Sequence, residues 1–439
     1  MRISKLAKVA SIALAFGLVT GAPAHAVDLQ GSGASFPALL IDACKAGFAQ
    51  SSSHTYVYAA SGSGTGRSNS DRSIGDFWFT DAAHTASTKR ASIIHVPAVA
   101  APIAILHNLP AKTTLQLSAE TIAGIFSGKI TRWNDPAIAA DNNRSSVKVV
   151  YRLDANGNVK KDAKGNPIVL RTQNVTSRYT LPNQPIKVVY RSDSSGTTEN
   201  FTNYLNKSAP NTWTKAKASV FTSSFPGNIN DPANLGRIVG ASSSNGVSQL
   251  AGKTPYSITY AEVNYATANR LKVANLINPA GASVAPDSAG VSAFLAEAAM
   301  DANGIVTFDY ATKEKGAYPL GIVSYLLADT NNPDAAKGKA VKELATYLLS
   351  PKCSKDAGAD LGFSVLDGAF LKKAQALIAK SNHGNITMAP MAEIRTVLSV
   401  RVMAKRGAAA IKTPSARLEI MLPAHKRLNA GPMDWSLRH

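Results

Sequence analysis

The sequence predicts an α/β protein of two lobes, and three observations carry that prediction. At 439 residues the chain is long enough to bury more than one core. Short β-branched and aromatic runs alternate with segments of helical periodicity over most of its length. Several of the strand-to-helix junctions are turns of small hydroxylated residues, and they occur in both halves of the chain.

The chain opens with Arg2, Lys5 and Lys8, an apolar run from Val9 to Val19, and Ala24-His25-Ala26. That is the three-part pattern of a secretory signal spanning residues 1–26, with cleavage expected before Val27. The run is too short to span a bilayer, and no Cys marks a lipid-anchor site there. An exported, soluble protein is the expectation, periplasmic or secreted. Removing the leader's three cations from the net charge of +19 leaves +16. Such a field attracts anions, acidic surfaces and nucleic acid alike. The basic residues are scattered and not interleaved with aromatics, which argues against a nucleic-acid groove. Cys44 and Cys353 are the only cysteines, so an exported chain has one disulfide open to it. Their spacing does not show that they meet.

After the leader, Gly31-Ser32-Gly33-Ala34-Ser35-Phe36-Pro37 feeds an amphipathic helix bearing Leu40, Ile41, Cys44 and Phe48. Pro37 suits the first helical position, with Ser35 or Phe36 at the cap. Tyr56-Val57-Tyr58 reads as a strand running into the turn Ser61-Gly62-Ser63-Gly64-Thr65-Gly66-Arg67. This is not a nucleotide P-loop, because the Gly-Lys-Ser/Thr end is missing, and alone it reads as a flexible turn. Asp76-Phe77-Trp78-Phe79-Thr80 ends at Asp81. Val96 to Leu106 is extended and apolar, and Leu117 to Ile138 reads as helix, turn and a second helix starting at Asp135-Pro136.

Between Val147 and Tyr179 two extended segments flank Asp154-Ala155-Asn156-Gly157-Asn158 and Asp162-Ala163-Lys164-Gly165-Asn166, which predict a surface hairpin excursion. The alternating carboxylates and closing Glu of a calcium loop are lacking. Ser242-Ser243-Ser244-Asn245-Gly246-Val247 opens another helix, and Ser257 to Val263 follows it. Ala289 to Met300 reads as a helix capped by Ser288, Pro319 to Leu327 as a strand, and Lys337 to Leu349 and Leu371 to Lys380 as helices. Residues 381–439 carry nine Lys/Arg against three Asp/Glu and are interrupted by Pro and Gly, the pattern of a loosely ordered basic extension.

The central stretch is Arg191-Ser192-Asp193-Ser194-Ser195-Gly196-Thr197-Thr198, between the strand Ile186–Tyr190 and a helix presenting Phe201, Tyr204 and Leu205. The first N–H groups of that helix lack internal partners, and the helix dipole there favours negative charge. Ser195 and Thr197 add hydroxyl donors, Gly196 admits close approach to the backbone, and Arg191 brings a cationic fork. The parts suit a tetrahedral oxyanion; an ordinary capped helix start is the competing reading. The eight His residues lack metal-ligand spacing, there is no nucleophile elbow, and nothing asks for a cofactor.

Taken in order, these turns resemble those of the periplasmic phosphate-binding proteins that serve ATP-driven phosphate import. The resemblance runs from about residue 29 to 380. It rests on the 31–37 turn, Gly62-Ser63-Gly64, Asp76-Phe77 with Asp81, Ile125-Phe126-Ser127-Gly128-Lys129-Ile130 with Trp133-Asn134-Asp135, the 191–197 turn with Phe201 and Tyr204-Leu205, and Asn245-Gly246-Val247. It implies the two-lobed periplasmic-binding-protein fold, each lobe a mostly parallel sheet flanked by helices and joined by a hinge. Residues 27–104 with 280–380 would form one lobe and 105–279 the other, with the hairpin at about 147–180 inserted in the second.

By the same resemblance, Ser35, Phe36 and Ser63 donate to phosphate from the first lobe. Ser195, Gly196 and Thr197 donate from the second, where Arg191 supplies the charge and Asp193 orients it. Asp81 is the discriminating member: a carboxylate facing an anion is tolerated only if the guest brings a proton, which phosphate does and sulfate does not. The implied function is a non-enzymatic, monomeric receptor delivering inorganic phosphate to a membrane ABC permease. Rival readings are a secreted phosphatase with Ser195 or Thr197 attacking and Asp81 as base, a receptor for another oxyanion such as sulfate or molybdate, and a polyanion-binding protein. Three departures from the family stand out: the bulky Trp78 and Phe79 before Asp81, the long hairpin region, and the extension after Lys380.

Overall fold

The computed structural model describes residues 26–380 apart from 111–113, 155–158, 164, 358–360 and 365. The leader before Ala26, the tip of the first hairpin turn and the basic extension at 381–439 lie outside the described residues.

The first strands are parallel and end in loops that matter later. Strand β1 (Asp28–Gly33) lies between β2 (Thr55–Ala59) and β3 (Phe77–Thr80), parallel to both. The helix expected after Pro37 is two pieces, α1 (Ala38–Ala43) and α2 (Lys45–Ser52), which break at Cys44. Pro37 itself occupies the cap, one position earlier than its fixed φ suggested. The 61–67 turn is shorter than expected. Gly62, at φ 93°, caps a helix α3 (Ser63–Asp71) that takes up the rest of it. Tyr56, Tyr58, Phe77 and Phe79 pack ring against ring beneath these strands.

Strand β4 (Ile93–His107) is fifteen residues long and buried almost throughout. After it come β5 (Gln116–Ser118), α4 (Ala119–Phe126) and α5 (Pro136–Asn142), the last capped by Asp135 as its Asp-Pro start predicts. The excursion is an antiparallel pair, β6 (Ser145–Tyr151) with β7 (Val169–Thr176), and every residue of β7 is exposed. Then follow β8 (Lys187–Arg191), α6 (Gly196–Ser208), the short α7 (Phe221–Ser224), β9 (Ile238–Ala241), α8 (Ser243–Lys253) and β10 (Ser257–Glu262). Helix α9 (Asn264–Ala268) leads into β11 (Lys272–Val273), β12 (Asn275–Ile277) and β13 (Ser283–Val284). Helix α10 (Ser288–Ala296) is capped by Asp287, not Ser288, because the Asp287 carboxylate reaches the Gly290 N–H at 2.8 Å. It also stops short of Met300, which belongs to β14 (Ala299–Met300), paired with β15 (Val306–Thr307). Strand β16 (Gly321–Asp329), α11 (Ala335–Leu348) and α12 (Gly368–Ala379) complete the fold.

The main sheet runs β2-β1-β3-β16-β4-β10-β8-β9, with β11 also on β4. Within β4 the partner changes. Residues Ile93 to Pro102 pair with β16, whereas Ile103 to His107 pair with β10. The two prolines of β4 fall where a missing N–H is tolerated. Pro102 is the last residue opposite β16, and Pro97 flanks a bulge in which Ala98 has no counterpart between Ser324 and Tyr325. One strand thus joins a group with β1, β2 and β3 parallel to a group with β8, β9 and β10 parallel. The carboxyl ends of the parallel strands carry the small-residue turns, which is where open α/β sheets place ligands.

Cys44, at the α1–α2 break, is bonded to Cys353, 309 residues away and just past α11. The bond closes a very long loop, so its effect falls mainly on the unfolded chain. Replacing both cysteines by alanine is expected to lower unfolding free energy by about 2–4 kcal/mol, read from denaturant titration, with the ligand site unaffected.

Candidate functional site

The site forms where turns from the two strand groups meet. Arg191 ends β8 and is only 2% exposed. Its Nε and Nη2 donate to the two carboxylate oxygens of Asp193 at 2.7 and 2.5 Å, and its Nη1 donates to Ser244 Oγ at 3.0 Å. Nη1 and Nη2 each carry a second hydrogen beyond these bonds, so the guanidinium keeps capacity for a further oxyanion. Burial works against the charge of Asp193, but the paired Arg191 and the Ser243 N–H outweigh it and hold this carboxyl below its usual range.

Ser195 caps α6, accepting from the Thr198 N–H at 3.1 Å, so the first residues of the helix are Gly196 and Thr197. A side chain at Gly196 would start 2.6 Å from Ser63 Oγ and 2.9 Å from the Asp81 N–H. That contact is why only glycine fits where the α6 turn presses on the β2 and β3 loops. Gly62 and Gly64 serve the same closeness from the other side, against Asp193 and Ser194. Beneath the turn, Tyr260 stacks on Phe201 at 4.2 Å, and its hydroxyl meets the Arg191 N–H and Thr198 Oγ1.

Asp81 follows β3 directly and is 2% exposed. Its Oδ2 accepts from Ser63 Oγ at 3.3 Å and from Thr197 Oγ1 at 3.2 Å, and its Oδ1 accepts from Ser324 Oγ at 2.8 Å. Burial pushes its pKa up to about 6, opposed by the Ser324 hydrogen bond, the Arg191 charge, and the Thr197 and Ser63 hydroxyls. Trp78 and Phe79 do not crowd it. Trp78 donates to the Ile74 carbonyl and packs with Ile93 and Leu327, while Phe79 joins the aromatic group under β1. A cavity of about 520 Å³ approaches Asp81 beside Asn200, Asn203 and Tyr310.

Ser35 lies in the turn after β1, and its Oγ meets the Ser244 N–H at 3.1 Å and Ser244 Oγ at 3.2 Å. Phe36 beside it is buried against Phe363. Ser35, Arg191 and Asp193 therefore belong to one hydrogen-bonded group joined through Ser244, and Ser63, Asp81 and Thr197 to a second one, against which Gly196 lies by close approach, with Ser195 at the helix cap. Three further members escaped sequence reading. Ser244 was inside a turn already marked by its serines. Ser324 is a lone hydroxyl in an apolar strand. Glu262 ends the buried strand β10, is 2% exposed, and accepts from Ser244 Oγ at 3.0 Å. Burial raises its pKa to about 8, with the Asp81 charge adding to the effect and Arg191 opposing it. No group of His, Cys, Asp and Glu suited to a metal occurs among the described residues.

Two strand groups meeting at a buried set of hydroxyl, amide and guanidinium donors define a solute-binding fold of the periplasmic binding protein-like II type. Residues 19–352 match the PBP superfamily domain, and the chain belongs to that superfamily. Phosphate-binding protein PstS 3 of Mycobacterium tuberculosis (strain ATCC 25618 / H37Rv) is 33% identical over 254 residues, 56% of this chain and 56% of that protein. The chain thus spans little more than half the length of such relatives. Phosphate-binding protein PstS of Pasteurella multocida (strain Pm70) is 28% identical over 360 residues, 80% of this chain and 90% of that one. Among solved structures, a high-affinity periplasmic phosphate-binding protein with phosphate bound aligns at TM-score 0.57 and 23% identity, covering 80% of this chain and 93% of its own. The phosphate-binding protein of Stenotrophomonas maltophilia gives 0.54 at 19% identity, with 80% and 93% covered. At these identities the structures speak for the fold.

Two outcomes are expected from the geometry. Asp81 binds its proton more tightly folded, at about 6, than at its ordinary 3.8, so this group favours folding below about pH 4 and that favour is lost as pH rises through 6. Asp81→Asn should therefore stabilise the ligand-free protein by about 3 kcal/mol at pH 7, a gain that vanishes near pH 4 in denaturant titrations. Gly196→Ala should destabilise by about 1–3 kcal/mol, read as a lowered thermal midpoint, because its methyl group meets the Asp81 backbone.

Proposed function

We propose that this protein is an exported receptor for inorganic phosphate that hands its ligand to a membrane ABC permease, acting as a monomer and without catalysis. In this reading residues 27–104 with 280–380 form one lobe, 105–279 form the other, and β4 runs through the hinge. Ser35, the Phe36 N–H, Ser63, Ser195, the Gly196 N–H and Thr197 donate to the anion, Arg191 supplies the charge, and Asp193 holds Arg191 in place.

The observation that carries the proposal is Asp81. A carboxyl buried among three hydroxyl donors and within the field of Arg191 is an acceptor placed where an anion would otherwise meet only donors. An oxyanion bearing a proton pairs with it, and one without a proton leaves a buried carboxylate facing negative charge. Phosphate keeps a proton at neutral pH and sulfate does not. The names of the relatives point to the same ligand. The Ser195 hydroxyl accepts from the Thr198 N–H and keeps its own hydrogen to give to the anion.

Calorimetric titration of the purified mature protein should show saturable phosphate binding at pH 7, little heat with sulfate, and no turnover of a chromogenic phosphate ester. Asp81→Asn should narrow the phosphate-over-sulfate preference by about 10-fold or more, the cost of one unpaired buried group. Equal affinity of the wild type for both anions would refute the reading.

A further inference from the structure

Ser244, like Asp81, touches donors from both strand groups, but neither the resemblance nor the proposed ligand set assigns it a task. It lies at the start of α8, fully buried, and its N–H and hydroxyl make four hydrogen-bonding contacts. Its N–H donates to Ser35 Oγ at 3.1 Å, and the two hydroxyl oxygens are 3.2 Å apart. Its Oγ accepts from Arg191 Nη1 at 3.0 Å and donates to Glu262 Oε1 at 3.0 Å. Ser35 follows β1 in one strand group, while Arg191 and Glu262 end β8 and β10 in the other.

The backbone is arranged for this task. Ser243 adopts φ 65°, a left-handed conformation that costs a non-glycine residue on the order of 1 kcal/mol. In return its N–H reaches Asp193 Oδ1 at 3.0 Å, while the next N–H along, that of Ser244, reaches Ser35. A turn held in a disfavoured conformation by two such bonds is fixed by its partners. One hydroxyl hydrogen is fixed as well. A serine has one, and Glu262 takes that of Ser244, so the hydrogen of Ser35 is the one left to point at Ser244 or into the space beside Arg191. Glu262 can take it in either protonation state through Oε1, and its Oε2 has no hydrogen-bond partner among the described residues.

We propose that Ser244, backed by Glu262, is a positioning residue that latches the Ser35 turn to Arg191 across the cleft, so that the two strand groups close on the oxyanion as one unit. The ligand arm of this proposal rests on the phosphate reading; the latch itself does not. Ser244 acts through Ser35 and Arg191, so its loss should shorten the lifetime of the complex more than it slows encounter.

The test uses the full mature chain with inorganic phosphate as the probe. Ser244→Ala is expected to weaken phosphate binding about 10-fold, with most of the change in the dissociation rate measured by stopped-flow fluorescence, and to widen the ligand-free protein in small-angle scattering. Glu262→Gln, which keeps an acceptor at Oε1, should stay within about 3-fold of wild type, and Glu262→Leu should resemble Ser244→Ala. The Glu262 pair decides the matter if Ser244→Ala fails to fold. Affinity and dissociation rate of Ser244→Ala or Glu262→Leu within about 2-fold of wild type would overturn the proposal. So would a loss equally shared by Glu262→Gln and Glu262→Leu. Should the wild type bind no phosphate, the functional reading fails by itself, and scattering of the ligand-free variants still decides the latch: wild-type dimensions for Ser244→Ala would refute it.

Discussion

The burial of one guanidinium organises this structure. Arg191 sits at 2% exposure, and a buried cation is tolerated only where its hydrogen bonds are met. Asp193 meets two of them in a parallel fork and Ser244 a third. The other pieces follow from keeping those partners in place. Tyr260 pins the Arg191 backbone from below, the left-handed Ser243 directs an N–H at Asp193, and Gly62 lets the α3 turn lie against the same carboxylate. The aromatic group of Phe126, Phe201, Phe221 and Tyr260 is the apolar floor that makes the burial deep.

Charge is used sparingly. The chain's excess of cations is not matched at the site, where Arg191 is, among the described residues, the one cation bonded to Asp193 and Ser244 and is largely matched by Asp193. In the proposed receptor, binding an anion there would rest on neutral hydroxyl and amide donors, whose dipoles are fixed by the fold and cost little to reorient. Asp81 and Glu262 would each be unwelcome beside an anion if both were ionised. Burial raises the pKa of both, and their mutual repulsion makes a shared ionised state harder still.

Much of this was legible in the sequence because the decisive turns are local. A strand, a hydroxylated turn and a helix start leave a trace within about ten residues, as at 186–205, and the order of such traces named the family. Helix ends were less legible. Pro37 took the cap and not the first helical position, and the cap expected at Ser288 fell to Asp287, since several neighbouring residues can cap and only backbone geometry chooses. The residues that escaped are those whose meaning depends on distant partners. Ser324 pairs with a carboxylate 243 positions away, and Ser35 meets Ser244 across 209. A serine in an apolar strand carries no local sign of that. The Cys44–Cys353 pairing was open for the same reason, and the fold brings the two together.

The route of the main sheet has a consequence for how the chain matures. Strands β1 to β3 come from the first fifth of the sequence, yet β3 finds its outer neighbour only in β16, and Cys44 its partner only at position 353. While the chain is emerging, that early edge stays open and its thiol unmatched, whereas β8, β9 and β10 lie within some eighty residues of one another and can pair soon after synthesis. The two strand groups thus differ in when they are completed: β8, β9 and β10 meet one another and the earlier β4 once β10 is made, whereas the second edge of β3 and the Cys44 thiol wait for β16 and Cys353, exposed meanwhile to edge-to-edge sticking and premature thiol chemistry.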